Sequence, residues 1–387
     1  MLQGLDRTKG HTTTANMRIL RADASCLPNG AEWQTLANGA SEPNPFFEHW
    51  FFLPALQYLS DGREIWVAEY RDGGELCGLF PMAVRAMYGR SPARHVGNWA
   101  HYQCFIGNPL IRSGFETAFW QHLLLALDAA EWAAGFLSVA GLEENGPAHL
   151  GLIDAAKLLD RPCPVVHHQE RAMLKSCLSA SAYLETHTRP KKRKEWRRLG
   201  NRLAEIGEVS FTALNRREDL DAWGAEFLAL ESAGWKGKDG AALSNSAATR
   251  SFFLATIKGA YDARKLDFQR LALDGRPIAM LINFVTPPGS WSFKIAYDEA
   301  LARFSPGVMI ELRNLERTLG NPDIGWMDSC AVENHPMIDS IWAERRRIVQ
   351  VSVPLTGVRR MATYHLCRAA ETASASLKSL VKSKRHG

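Results

Sequence analysis

Tyr297, Asp298, Asp328 and His335 are acid–base groups that lie close together in the chain. A carboxylate or an imidazole can take a proton from an attacking nucleophile, and a phenol can return one to a departing group. His335 is the best matched to neutral pH, because an unperturbed imidazole titrates at about 6.5. Each residue also has a plain structural alternative. Asp298 and Asp328 can cap or turn the chain, Tyr297 can pack as a strand aromatic, and His335 can be solvated.

A second set could hold an anion. Arg303-Phe304-Ser305-Pro306-Gly307-Val308 follows a strand-like stretch, residues 290–298, and opens a helical one. Ser305 suits a helix N-cap, Pro306 the first helical position, and Gly307 leaves the backbone uncovered. A helix N-terminus offers N–H groups and a positive dipole end to a phosphate, and Arg303 would stand beside it. An ordinary helix cap is the alternative. Trp235 and Lys236, between two helical stretches, could line a pocket in which the indole stacks on a sugar ring and the ammonium meets an anionic group. Otherwise they are a buried indole and a solvated amine. Lys191, Lys192, Arg193, Lys194, Arg197, Arg198 and Arg202 form a basic run opposed by Glu195 alone. It reads as a solvated helical face, or as a contact for a polyanionic ligand.

The elements that would position these groups occur twice. Residues 65–70 and 76–84 flank Arg71-Asp72-Gly73-Gly74, and residues 268–273 and 277–285 flank Asp274-Gly275, so both read as β-hairpins. Each is followed by a strand, a loop, a helix and a strand. These are 101–110, 112–114, 116–132 and 136–140 in the first copy, and 290–298, 302–307, 308–319 and 325–328 in the second. Residues 218–233 and 247–263 carry apolar side chains at helical spacing. Breakers in 142–164 place a boundary there. The expected division is 1–160, 165–355 and a basic tail, 356–387.

Composition bounds the rest. At 387 residues, with 46% hydrophobic and 22% charged, the chain is expected to be globular with two domains. The polar opening lacks the apolar core of a secretory signal. The most apolar stretch, 118–142, is broken by Gln121, His122, Asp128 and Glu131, as an amphipathic helix and strand would be. Seven scattered cysteines without zinc-like spacing imply a reducing cytoplasm and no metal.

The basic helix KKRKEWRRLGNRLAEIGEV, the segment from Glu231 to Gly237, the Asp-Gly hairpin and FKIAYDEALARFSPGVMIELRNLE together resemble a known family. It comprises the GNAT-type acetyltransferases associated with cellulose and exopolysaccharide biosynthesis, similar in turn to the Fem-type transferases of peptidoglycan bridges. The resemblance covers residues 179–348, and 297–307 is its most specific part. It implies an α+β protein of tandem GNAT-like folds, with mixed, mostly antiparallel sheets flanked by helices. Acyl-CoA, acetyl-CoA foremost, would lie in the splayed sheet of the second half, with residues 303–308 as the pyrophosphate loop. The first half would shape the acceptor cleft.

On that resemblance Asp298 and Asp328 end adjacent strands, where open α/β sheets place ligands. Either aspartate, or His335, would be the base, and Tyr297 the acid for the leaving thiolate. Trp235 and Lys236 would touch the acceptor, an amine or hydroxyl of a small or lipid-linked polysaccharide precursor. The loop lacks the usual Q/R-x-x-G-x-G/A signature. After Asp328 the chain reads SCAVENHPMIDSIW where many relatives carry a glycine-rich turn and Tyr-Lys, which implies an acceptor of its own. The basic, apolar tail could lie on an anionic membrane surface or be solvated. Two rival readings are a Fem-like aminoacyl-tRNA-dependent transferase and a non-enzymatic partner protein. Nucleic acid is the least expected partner, since Trp196 alone interleaves the basic run.

Overall fold

A computed structural model describes residues 12–13, 16–23 and 26–383, without the side chains of residues 12, 13, 236 and 374–383. The chain divides into two compact units that are not contiguous in sequence. The first comprises Met1–His49, Gly62–Gln169 and Ile348–Gly387, and the second Trp50–Asp61 and Glu170–Arg347. A single cut near residue 160 does not describe this arrangement. Residues 50–61 belong with the second unit because Trp50 and Phe51 pack edge-on against Phe284, and Phe51 also against Phe252 and Phe293. Residues 348–354 belong with the first because they pair antiparallel with Phe136–Glu143.

In the first unit Met17–Arg21, Ile65–Asp72, Glu75–Arg85 and His95–Asn98 are successive antiparallel neighbours. His95–Asn98 then runs parallel to Phe136–Glu143. In the second unit Val209–Ala213, Leu266–Leu273, Arg276–Thr286 and Gly289–Tyr297 are antiparallel neighbours. Gly289–Tyr297 then runs parallel to Trp326–Asp328, which pairs antiparallel with residues 173–174. Helices flank the strands of both units, Glu116–Ala129 and Pro306–Leu319 being the equivalent crossovers.

The repetition extends to detail. The turn residues Gly73 and Gly74 have φ of 55° and 88°, and Asp274 and Gly275 have 49° and 77°. Left-handed pairs of this kind match the twist of the flanking strands. Both hairpins shift register just before the turn, at Tyr70/Arg71 and at Leu271/Ala272. One expectation fails: residues 101–110 are not a strand. The strand before the first crossover is His95–Asn98, followed by a loop and the two-residue strand Leu110–Ile111.

The basic tail continues as a helix, Val358–Ser383, whose Tyr364 and Cys367 pack on Phe136. Of the apolar side chains on which a membrane contact would depend, Leu366 is exposed, and those of Leu377, Leu380 and Val381 lie outside the described residues. Among the described residues no helix is long and apolar enough to cross a membrane.

Candidate active site

The parallel ladder between Gly289–Tyr297 and Trp326–Asp328 lasts only from Gly289↔Trp326 to Trp291↔Asp328. The chain then leaves the sheet. The Asp328 carboxylate accepts from the Cys330 N–H at 2.8 Å, and Cys330 takes a left-handed φ of 52°. Residues 292–295 and 329–331 consequently part, and with Glu311, His335, Met337 and Ile338 they line a cavity of about 150 Å³.

Glu311 was not singled out by the sequence, yet it is the group in this cavity best suited to proton transfer. It lies one turn into the helix Pro306–Leu319 and is 2% exposed. One carboxylate oxygen accepts from the Asn314 side-chain N–H at 3.1 Å. Burial pushes the carboxyl up to about 7, against a small lowering by the Asn314 hydrogen bond. A carboxylate titrating near neutrality in a cavity is the usual requirement for a general base. His335 lines the same cavity, and its Nδ1 accepts from the Ile338 N–H at 3.4 Å. The proton of the neutral ring is then on Nε2, as a donor.

The two aspartates stand elsewhere. Asp328 is fully buried, with Arg171 Nε 2.7 Å from one oxygen and Arg346 Nη1 2.9 Å from the other. Arg346 is itself held between Trp291 and Trp326, 4.9 and 4.3 Å from the ring centroids. Burial alone would raise the Asp328 carboxyl, but the two guanidiniums hold it below the ordinary carboxylate value. An inaccessible, doubly paired carboxylate is a structural ion rather than a base. Asp298 caps the short 3-10 helix Glu299–Phe304 through the Ala300 N–H at 2.9 Å and pairs with Arg276 at 2.7 Å.

The expected phosphate loop differs from its sequence reading. Phe304 is a core residue beside Leu203, Leu271 and Ile310, and Arg303 stacks over its ring. Ser305 is left-handed and its side chain caps nothing. The N–H groups of Val308 and Met309 turn back to the Ser305 carbonyl, at 3.0 and 3.1 Å. That leaves the Gly307 N–H without a backbone acceptor among the described residues. A Cβ on Gly307 would come 3.2 Å from the Tyr297 ring and 3.5 Å from Met337 Sδ. Tyr297, Gly307 and the loop carrying His335 therefore adjoin, with Pro306 buried at the helix start.

Trp235 is half-exposed and, with Tyr297 and Glu299, lines a second, much smaller cavity. The Lys236 side chain lies outside the described residues. In the basic helix Pro190–Ala204, Arg193 donates to the carbonyls of Leu184, Glu185 and Thr188, so it secures the end of the preceding helix. Arg198 pairs with Glu195, while Lys191, Lys194 and Arg197 are exposed.

The matching gap in the first unit is filled by its own chain. Asn98 exchanges hydrogen bonds with the Ala140 N–H and carbonyl at 3.0 and 3.1 Å, and the Gly107 N–H donates to the Gly141 carbonyl at 2.8 Å. A Cβ on Gly107 would sit 1.9 Å from the Ala140 oxygen. No group of acidic, histidine and cysteine side chains among the described residues is arranged to hold a metal ion.

Residues 190–330 match the family described as the acetyltransferase (GNAT) domain. Among solved structures, FemX superposes with a TM-score of 0.55 at 10% identity, over 84% of this chain and 96% of that one. A conserved protein of unknown function from Bacteroides thetaiotaomicron VPI-5482 gives 0.54 at 12%, over 84% and 98%. The C-terminal domain of a putative lysylphosphatidylglycerol synthetase from Agrobacterium fabrum gives 0.50 at 10%, over 88% and 94%. At these identities the likeness is one of fold, and it fixes the fold as α+β and GNAT-like. No curated protein matches the chain in sequence.

Proposed function

We propose that the protein transfers a short acyl group from acyl-CoA to an amine or hydroxyl, with Glu311 as general base. The observation that carries this reading is a buried carboxylate, pushed up to about 7, in the cavity where the two parallel strands separate. Acyl-CoA supplies an activated thioester carbonyl, and residues 292–295, which line the cavity where the strands part, would lie along its amide chain. A cavity of about 150 Å³ has room for an acetyl or similarly small acyl group, not a long chain. Glu311 takes the proton of the attacking nitrogen or oxygen, and the new bond to the carbonyl carbon forms. His335 Nε2–H steadies the charge on the carbonyl oxygen. The carbon–sulfur bond then breaks, and the thiolate leaves beside Tyr297, whose hydroxyl can return a proton. The half-exposed Trp235 and the resemblance in sequence favour a polysaccharide precursor as acceptor.

The test joins calorimetric titration with acetyl-CoA to thiol-release assays on a panel of amines and sugars. The wild type should bind acetyl-CoA more tightly than long-chain acyl-CoAs. Its rate should rise with pH through about 7 as Glu311 ionises. Glu311→Gln should keep binding and lose about 10²–10⁴-fold in rate. Absence of acyl-CoA binding, or a wild-type rate in Glu311→Gln, would remove the reading. The exposed Lys191, Lys194 and Arg197 favour a second reading, an aminoacyl-tRNA donor. That donor would show as RNA affinity that collapses with salt.

A further inference from the structure

Glu311 is the end of a polar chain that crosses an otherwise apolar core. Asn314 directs its amide N–H groups to Glu311 Oε2 at 3.1 Å and to Met327 Sδ at 3.5 Å. Its Oδ1 accepts from Gln269 Nε2 at 3.1 Å and from Asn283 Nδ2 at 2.8 Å. The same two nitrogens donate to Asp267 Oδ2, at 2.6 and 3.0 Å, while Asp267 Oδ1 accepts from Arg317 at 3.0 Å.

Hydrogen-bond polarity makes this chain directional. An ionised carboxylate only accepts, so Asp267 draws the NH2 groups of both neighbouring amides towards itself. Each amide then has one further N–H, and both point at Asn314 Oδ1. With its oxygen saturated, Asn314 can offer Glu311 only an N–H. The arrangement is held against a cost, since Gln269 Oε1 and Asn283 Oδ1 are buried with no hydrogen-bond partner among the described residues.

We propose that Asp267 is a positioning residue for Glu311, setting through Gln269 and Asn283 the orientation in which Asn314 donates a hydrogen bond to that carboxylate. A donated hydrogen bond stabilises the ionised form that a base must reach, whereas a flipped Asn314 would present its oxygen and favour the protonated one. The other titratable groups around the cavity, Lys294, Cys330 and His335, come from different elements. The catalytic meaning of this assignment rests on Glu311 being the base, but the orientation can be measured without turnover.

The experiment is NMR of the whole protein, ¹³C-labelled at glutamate carboxyls and ¹⁵N-labelled at side-chain amides, with Glu311 assigned through Glu311→Gln. In the wild type the Asn314 amide signals should titrate together with the Glu311 carboxyl. In Asp267→Ala the Glu311 midpoint should rise by about one to two pH units, the worth of a hydrogen bond to a charged group. Removing a negative charge would by itself lower that midpoint, so the two effects differ in sign. A midpoint that stays or falls, or Asn314 signals indifferent to Glu311, would overturn the proposal. If Asp267→Ala does not fold, Asp267→Asn, whose single amide oxygen cannot accept from both Arg317 and the two neighbouring amides, is titrated in its place with a smaller rise expected, and an unchanged midpoint there overturns the proposal as well. A fully active Glu311→Gln would remove the acyl-transfer reading and leave the orientation standing.

Discussion

Asp328 and Glu311 are carboxylates buried to the same degree that titrate in opposite directions, and the difference is what each one faces. Two guanidiniums and a backbone N–H outweigh burial at Asp328, whereas a single amide does not at Glu311. Asp328→Ala would remove the buried carboxylate that accepts from both Arg171 and Arg346, a loss expected to cost about 3–5 kcal/mol. Urea unfolding measures it, and an unchanged midpoint would show that the cluster contributes nothing to stability. The sequence pointed to Asp328 because it ends a strand, a position that says nothing about partners 157 residues earlier in the chain at Arg171. It passed over Glu311 because the helix start drew attention as a phosphate site. The signal was present all the same. Gly307, Ile310, Glu311, Asn314, Leu315 and Thr318 are buried at helical spacing, so that three polar residues stand on the apolar stripe. Polar residues there need a reason.

At the scale of elements, the hairpins were legible because their Gly-Gly and Asp-Gly turns require left-handed backbone that few other residues supply. The third strand of the first copy was not. Residues 101–106 have the aromatic and β-branched content of a strand, but Gly107 and its neighbours go instead to close the gap beside residues 140–141, and tertiary packing overrides local preference. Ser305 shows the same kind of override. The 3-10 helix Glu299–Phe304 runs into Pro306–Leu319 with one residue between them, and that residue must turn left-handed, at φ 53° and ψ 53°, whatever its side chain. Its hydroxyl makes no cap, so Ser305→Gly should relieve roughly 1 kcal/mol of backbone strain. Acetyl-CoA affinity should not change. A lower urea midpoint in that variant would show that the serine holds the junction by some other means.

At the scale of the whole molecule, the Asn-Gly-Pro and Arg-Pro-Cys-Pro breakers mark turns. They cannot report that residues 50–61 and 348–354 are each packed with the other half of the sequence. Those assignments depend on Phe284 and on the Phe136–Glu143 strand, far away in the chain. The stability of the whole protein also records the proposed site. Glu311 has a folded-state pKa of about 7 against an ordinary 4.5, so the folded protein holds a proton that the unfolded chain has released between those values. Its contribution is fully present below pH 4.5 and is lost as pH rises through 7, amounting to on the order of 3 kcal/mol by pH 8. A glutamine there cannot ionise. Glu311→Gln should therefore melt close to the wild type at pH 5 and several degrees above it at pH 8, in scanning calorimetry. A melting difference that is the same at both pH values would mean that Glu311 does not titrate in this range, and the base would have to be sought at His335.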